Sequence, residues 1–105
     1  MEKMMILRAV SPMMSRQFPD KQTGATVTIH WVELTMTDGI DTIVGELTLP
    51  KVKNAQGQFE EPQVPSFEID RIYNVDAEID GASGTTADGK YWSRNRINLK
   101  KVCAL

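Results

Sequence analysis

Apolar and polar residues alternate along much of this chain. Tyr73, Val75, Ala77 and Ile79 interleave with Asn74, Asp76 and Glu78, the period of two that marks a strand buried on one face. Residues 26–36 are rich in β-branched side chains, which favour strands. Their apolar phase changes midway: Val27, Ile29 and Trp31 share one face, and Val32, Leu34 and Met36 share the other. Such a change predicts a β-bulge, or a strand that bends between two sheets. Three more strands are predicted, over 4–10 (stopped by Ser11-Pro12), over 43–49 after the turn Thr37-Asp38-Gly39, and over 91–102.

The connections are of three kinds. Residues 13–25 contain Pro19, Asp20 and Gly24 and predict a protruding hairpin. Residues 50–65 hold three prolines, Asn54 and Gly57, which predicts a loop and excludes a helix. Residues 81–89 are rich in Gly, Ser and Thr and predict a loop joining the last two strands. Trp31, Phe67 and Tyr73 have apolar flanks that assign them to the core. Five strands without an amphipathic helix predict an all-β domain over 1–105. The expected form is a small five-stranded OB-like Greek-key barrel with a protruding basic hairpin; a β-sandwich fragment is the alternative.

Size and composition narrow the classes. A chain of 105 residues is one domain that buries only about 65% of its unfolded surface, so self-association would help it. One cysteine, Cys103, excludes an intrachain disulfide and a cysteine-based zinc cluster. No apolar run approaches the ~18 residues of a membrane span. The first residues, with an acid at Glu2 and no small-residue cleavage site, do not read as a signal peptide. A reducing cytoplasm is the expected compartment, that of a bacterial host if the chain is phage-encoded.

Catalytic chemistry finds little support. His30 and Cys103 each stand alone, and Asp76, Glu78 and Asp80 alternate out of a strand as a solvated face. The run from Gly84 to Lys90 lacks the glycine spacing of a phosphate loop and precedes a strand. No enzyme, cofactor or metal is therefore expected.

Charge is more informative. The net charge is −2, yet residues 33–80 hold eleven acids against Lys51, Lys53 and Arg71. Residues 90–105 hold Lys90, Arg94, Arg96, Lys100 and Lys101 and no acid. A segregated basic end can bind polyanions on a mildly acidic chain. Period two puts Trp92, Arg94, Arg96, Asn98 and Lys100 on one face of the last strand. Cations that follow phosphates and a flat ring that accepts an unstacked base are what single-stranded nucleic acid requires. The competing reading has Trp92 covering the barrel end and the arginines paired with acids of the neighbouring strand. Phe18, between Arg16 and Lys21 in the hairpin, is a second candidate for contact.

Several pieces run in order over nearly the whole chain. They are a short first strand, Ser15-Arg16-Gln17 in a basic excursion, a long Thr/Val strand, Leu47-Thr48-Leu49, a Pro-rich loop, Tyr73-Asn74-Val75, and the closing run from Arg96 to Val102. In this order the chain resembles the single-stranded DNA-binding, helix-destabilising proteins of filamentous bacteriophages. The resemblance implies an OB-like barrel, a homodimer, and cooperative coating of single strands without enzymatic activity. It implies that Arg16 and Lys21 meet phosphates from a DNA-binding wing. Arg96 becomes the basic residue of the closing strand, and Tyr91 falls near a base-stacking aromatic. This chain departs from the family in three ways. It has no aromatic near Val27, where Phe18 or Trp31 would have to substitute. Glu46 stands where a lysine is expected, with Lys51 and Lys53 just beyond it. The loops 50–65 and 81–89 are longer.

The expected function is thus non-sequence-specific binding of single-stranded DNA during phage replication. Arg16, Phe18, Lys21, Tyr91, Trp92, Arg94, Arg96 and Lys100 are the expected contacts. Two other readings are a structural or protein-interaction β-barrel module of a phage or plasmid assembly, favoured by the acidic middle, and an RNA-binding translational repressor.

Overall fold

A computed structural model describes residues 2–105, apart from the side chains of Ala82 and Arg94. The chain is all-β. Its strands are β1 (Glu2–Val10), β2 (Met14–Pro19), β3 (Thr26–Thr37), β4 (Thr42–Leu49), β5 (Val52–Lys53), β6 (Phe59–Glu60), β7 (Ile72–Thr85) and β8 (Tyr91–Ala104). The main sheet runs β1-β7-β8-β4-β3-β2, and an added β1–β3 pairing closes five of its strands into a ring. β2 hangs outside the ring on β3. Neighbours are antiparallel except β4 and β8, which run parallel and share the single Cα pair Glu46↔Asn98. Among the described residues no helix is long and apolar enough to cross a membrane.

Alternation places the core. Met5, Leu7, Val32, Leu34, Met36, Leu49, Tyr73, Val75 and Leu99 point into the ring and are buried, while their strand neighbours face out. Phe67 meets Tyr73 edge-on at 5.9 Å, and the Tyr73 hydroxyl accepts a hydrogen bond from the Glu68 amide. Gly45 lies inside the parallel seam. A Cβ there would sit 2.6 Å from Leu99, so the absence of a side chain is what lets Leu99 close the ring.

Two bulges keep the pattern in phase. Between Leu7 and Ala9 the β1–β3 register shifts, and Arg8 turns out to meet Asp70. At the second shift, Lys100 and Lys101 together oppose Asp76, so both lysines face solvent while Leu99 and Val102 still pack on the core.

Neither of the two expectations for β3, a bulge or a passage between two sheets, is met: its register with β2 and β4 is continuous from Thr26 to Thr37, and all three strands belong to one sheet. The phase of the sequence changes because the surroundings change. From Val32 onward β3 lines the ring, and before His30 it leaves the ring to pair with β2 alone. There its apolar residues lie on the outer face. The segment 81–89 also differs from expectation. β7 continues through Gly81–Thr85 as a strand, and only residues 86–90 turn. Small side chains hide the period of two, but β8 supplies the ladder partner. Residues 50–65 are largely irregular, as expected, but contain the β5–β6 hairpin around Asn54, whose side chain accepts from the Gln56 and Gln58 amides.

Two hairpins project. β7 and β8 pair only with each other beyond Glu78 and Asn98, and the outer half of the β2–β3 hairpin has no other strand beside it. The radius of gyration is 16.6 Å, against about 13 Å for a compact chain of this length.

At one end of the ring, the Asp38 carboxylate accepts from Lys3 Nζ and from the Ile40 and Asp41 amides. The Lys3 hydrogen bond, then the amides, hold its pKa well below the ordinary carboxylate value. A carboxyl depressed in the folded state stabilises above its unfolded pKa of about 3.9, and that contribution is lost as pH falls through the folded value. Asp38→Ala is therefore expected to flatten the fall in thermal midpoint below pH 4, measured by circular dichroism. An unchanged acid slope would deny Asp38 this role.

Candidate nucleic-acid interface

The cross-strand registers bring distant residues onto one outer face. Arg16 lies opposite Ile29, Trp31 opposite Thr48, and Glu46 opposite Asn98. Ile29 and Trp31, Glu46 and Thr48, and Arg96 and Asn98 are each two residues apart, hence on one side of their strand. These seven line a groove of about 390 Å³ that crosses β2, β3, β4 and β8. A guanidinium enters it from β2 and another from β8. Trp31, assigned to the core from its flanks, is instead half-buried in this groove. Its indole Nε1 is buried and has no hydrogen-bond partner among the described residues.

The charges in the groove are loosely tied. Arg96 Nε lies 3.9 Å from Glu46 Oε1, too far for a hydrogen bond. A partly exposed pair like this is worth about 0–1 kcal/mol, against ~1.5–3 kcal/mol for a charge-assisted hydrogen bond. A phosphate oxygen can therefore take Arg96 from Glu46. Glu33 stands directly opposite Glu46 across the β3–β4 ladder, a like-charge pair that raises the cost of the acid here. Asn98 donates its amide Nδ2 to Asp80, which leaves its carbonyl oxygen as an acceptor.

The other expected contacts are distributed around this groove. Phe18 is two residues beyond Arg16 and exposed, so the groove face continues out along the hairpin. Lys21 sits in the hairpin turn, which is closed by Gly24 at φ 71° and by hydrogen bonds between Asp20, Gly24 and Ala25. Trp92 is 43% exposed and on the same side of β8 as Arg96, some 13 Å further along the strand. It stands opposite Gly84, where a Cβ would come 2.9 Å from the ring. Tyr91 lies on the opposite face of the arm. Lys100 is paired with Glu78 at 3.4 Å. The side chain of Arg94 lies outside the described residues. The structure thus joins Arg16 and Arg96 across Trp31, with Phe18 further along that face, and leaves Tyr91 and Trp92 on the arm.

The reverse face of the hairpin lines a second cavity, of about 430 Å³, with Gln17, Thr28 and His30 facing Lys51, Phe59 and Glu61. Lys51 and Lys53 each hold Nζ 5.1 Å from the centre of the Phe59 ring. No group of three or more His, Cys, Asp or Glu among the described residues could hold a metal ion.

Ile29, Trp31, Thr48 and Asn98 were missing from the expected contacts. Counting in twos outward from the core residue Val32 would have put Trp31 and Ile29 on the outer face. Thr48 and Asn98 join them only through the β3–β4 and β4–β8 pairings, which no local pattern encodes. Comparison with family models, with curated proteins and with solved structures gives no match to this chain.

Proposed function

We propose that this protein binds single-stranded DNA along the Arg16–Trp31–Arg96 groove, as a non-enzymatic coat on phage single strands during replication. One observation carries the reading: two guanidinium groups from separate strands flank a half-buried tryptophan that lines the groove. A strand laid across them would meet cations at its phosphates and a π-face at a base, and neither contact requires a fixed sequence. The reading includes the fold type. A five-strand ring with one parallel seam, between its third and fifth members, is the arrangement of an OB barrel, whose exposed face commonly takes oligonucleotides. It includes the homodimer that the phage-protein resemblance implies. Ile79 and Tyr91, 72% and 73% exposed, lie on the side of the β7–β8 arm that continues the core face, and a second copy would cover them.

The test is titration with oligothymidine, read by tryptophan fluorescence. Quenching is expected at low salt, with log affinity falling against log salt by about −2 for contacts from Arg16, Lys21 and Arg96. Trp31→Phe should remove most of the signal and Trp92→Phe less. Sedimentation of the same mixtures reports the dimer, and competition with a matched RNA separates DNA from RNA binding. Absence of binding at low salt would leave the interaction-module reading in its place.

A further inference from the structure

The groove holds one residue that works against phosphate binding. Glu46 lies on its floor between the two arginines, its side chain only 29% exposed. Beside it the Asn98 carbonyl oxygen is left as an acceptor, because the amide nitrogen is given to Asp80. The cations thus come from β2 and β8, and the acceptor Glu46 lies between them on β4, the strand next to that of Trp31. Phosphates offer only acceptors and have no use for such a floor. A base edge rich in donors does.

Resting on the reading that this groove takes a single strand, we infer that Glu46, beside Trp31, forms a subsite selective for guanine. A carboxylate presents two parallel acceptor oxygens. Guanine alone places two donor groups, N1–H and the N2 amino group, side by side on its Watson–Crick edge. Adenine and cytosine set a ring-nitrogen acceptor beside their amino group, and thymine flanks N3–H with two carbonyl oxygens. In those three, the second carboxylate oxygen faces a lone pair. An unstacked base is read on this edge when it lies on an aromatic ring. Trp31 supplies the ring and Glu46 the edge contact, so any sequence enters the groove while one position in it is weighted.

The experiment compares oligothymidine with the same oligomer carrying guanine at every fourth position, a spacing too sparse for guanine quadruplexes. The wild-type protein is expected to bind the guanine-bearing strand about tenfold more tightly, the size of one good bidentate base contact. Glu46→Ala should raise affinity for oligothymidine, because a negative charge leaves the space between two arginines, and should erase the guanine advantage. Glu46→Gln, close in shape, should also bind oligothymidine more tightly and lose the advantage, because its amide nitrogen turns a donor toward one of guanine's donors; it serves should the alanine variant fail to fold. Equal wild-type affinity for both oligomers, or an advantage that survives removal of the carboxylate, overturns the subsite and leaves single-strand binding standing. Failure of both oligomers to bind at low salt overturns the single-strand reading, and the subsite with it.

Discussion

Reversing both groove arginines, Arg16→Glu with Arg96→Glu, is expected to weaken oligothymidine binding at least about a hundredfold. Each guanidinium–phosphate contact is a charge-assisted hydrogen bond worth ~1.5–3 kcal/mol, and 1.4 kcal/mol is a factor of ten. The salt slope should lose about 1.4, at 0.7 for each contact removed. Thermal stability should fall by only about 1 kcal/mol, since both side chains are exposed and the Arg96–Glu46 pair is long; the cost comes from the reversed charge at position 96, which faces Asp80 and Glu46. The contrast between affinity and stability is what makes the pair informative. Unchanged affinity would clear the groove of any part in binding. As a control, Lys100→Glu should have a much smaller effect on affinity, because Lys100 does not line the groove.

The largest effect on stability is expected at Gly45→Ala. The added methyl group would stand 2.6 Å from Leu99 Cδ2 and Cγ, and the ring can accept it only by moving Leu99 or parting β4 from β8. Overpacking of this kind costs about 1–3 kcal/mol, which at about 4–8 °C per kcal/mol lowers the thermal midpoint by roughly 4–24 °C. The seam also carries the groove. Glu46 and Thr48 lie on its β4 side, and Arg96 and Asn98 on its β8 side. DNA affinity should therefore fall along with stability. A double-mutant cycle identifies the cause. Leu99→Ala alone leaves a cavity costing ~2–5 kcal/mol, but combined with Gly45→Ala it should cost less than the sum, because each change relieves the other. Strict additivity would mean that the two residues do not share the seam.

Much of this architecture was legible wherever one face of a strand meets the core and the other meets water. β1, β4, the first half of β7 and the last half of β8 announce themselves in this way. The pattern loses its meaning once a strand leaves the ring. In β3 the apolar residues Ile29 and Trp31 look like core because flanking composition cannot tell an inner face from an apolar outer one. In Gly81–Thr85 the side chains are too small to show any period, and their strand form comes from β8. The basic character of residues 90–105 was visible, and pairing with acids of the neighbouring strand was the competing reading; which cation meets which acid was not legible. Glu78 against Lys100 and Glu46 beside Arg96 depend on which strands become neighbours. Phosphate contact at Arg16 and Arg96 could be expected from sequence; the tryptophan between them required the register.

The closing of the ring by β1 has a bearing on how the protein is made. Met5 pairs with Tyr73 across nearly seventy intervening residues. At ~5–20 residues per second of synthesis, β1 leaves the ribosome roughly 3–14 s before that partner exists. During this delay Met5 and Leu7 can meet β3 on one edge only, and the other edge stands open to neighbouring nascent chains. Such non-local topologies also fold slowly once complete. In a cell making many copies at once, the yield of native protein would be governed by how well that waiting edge is shielded.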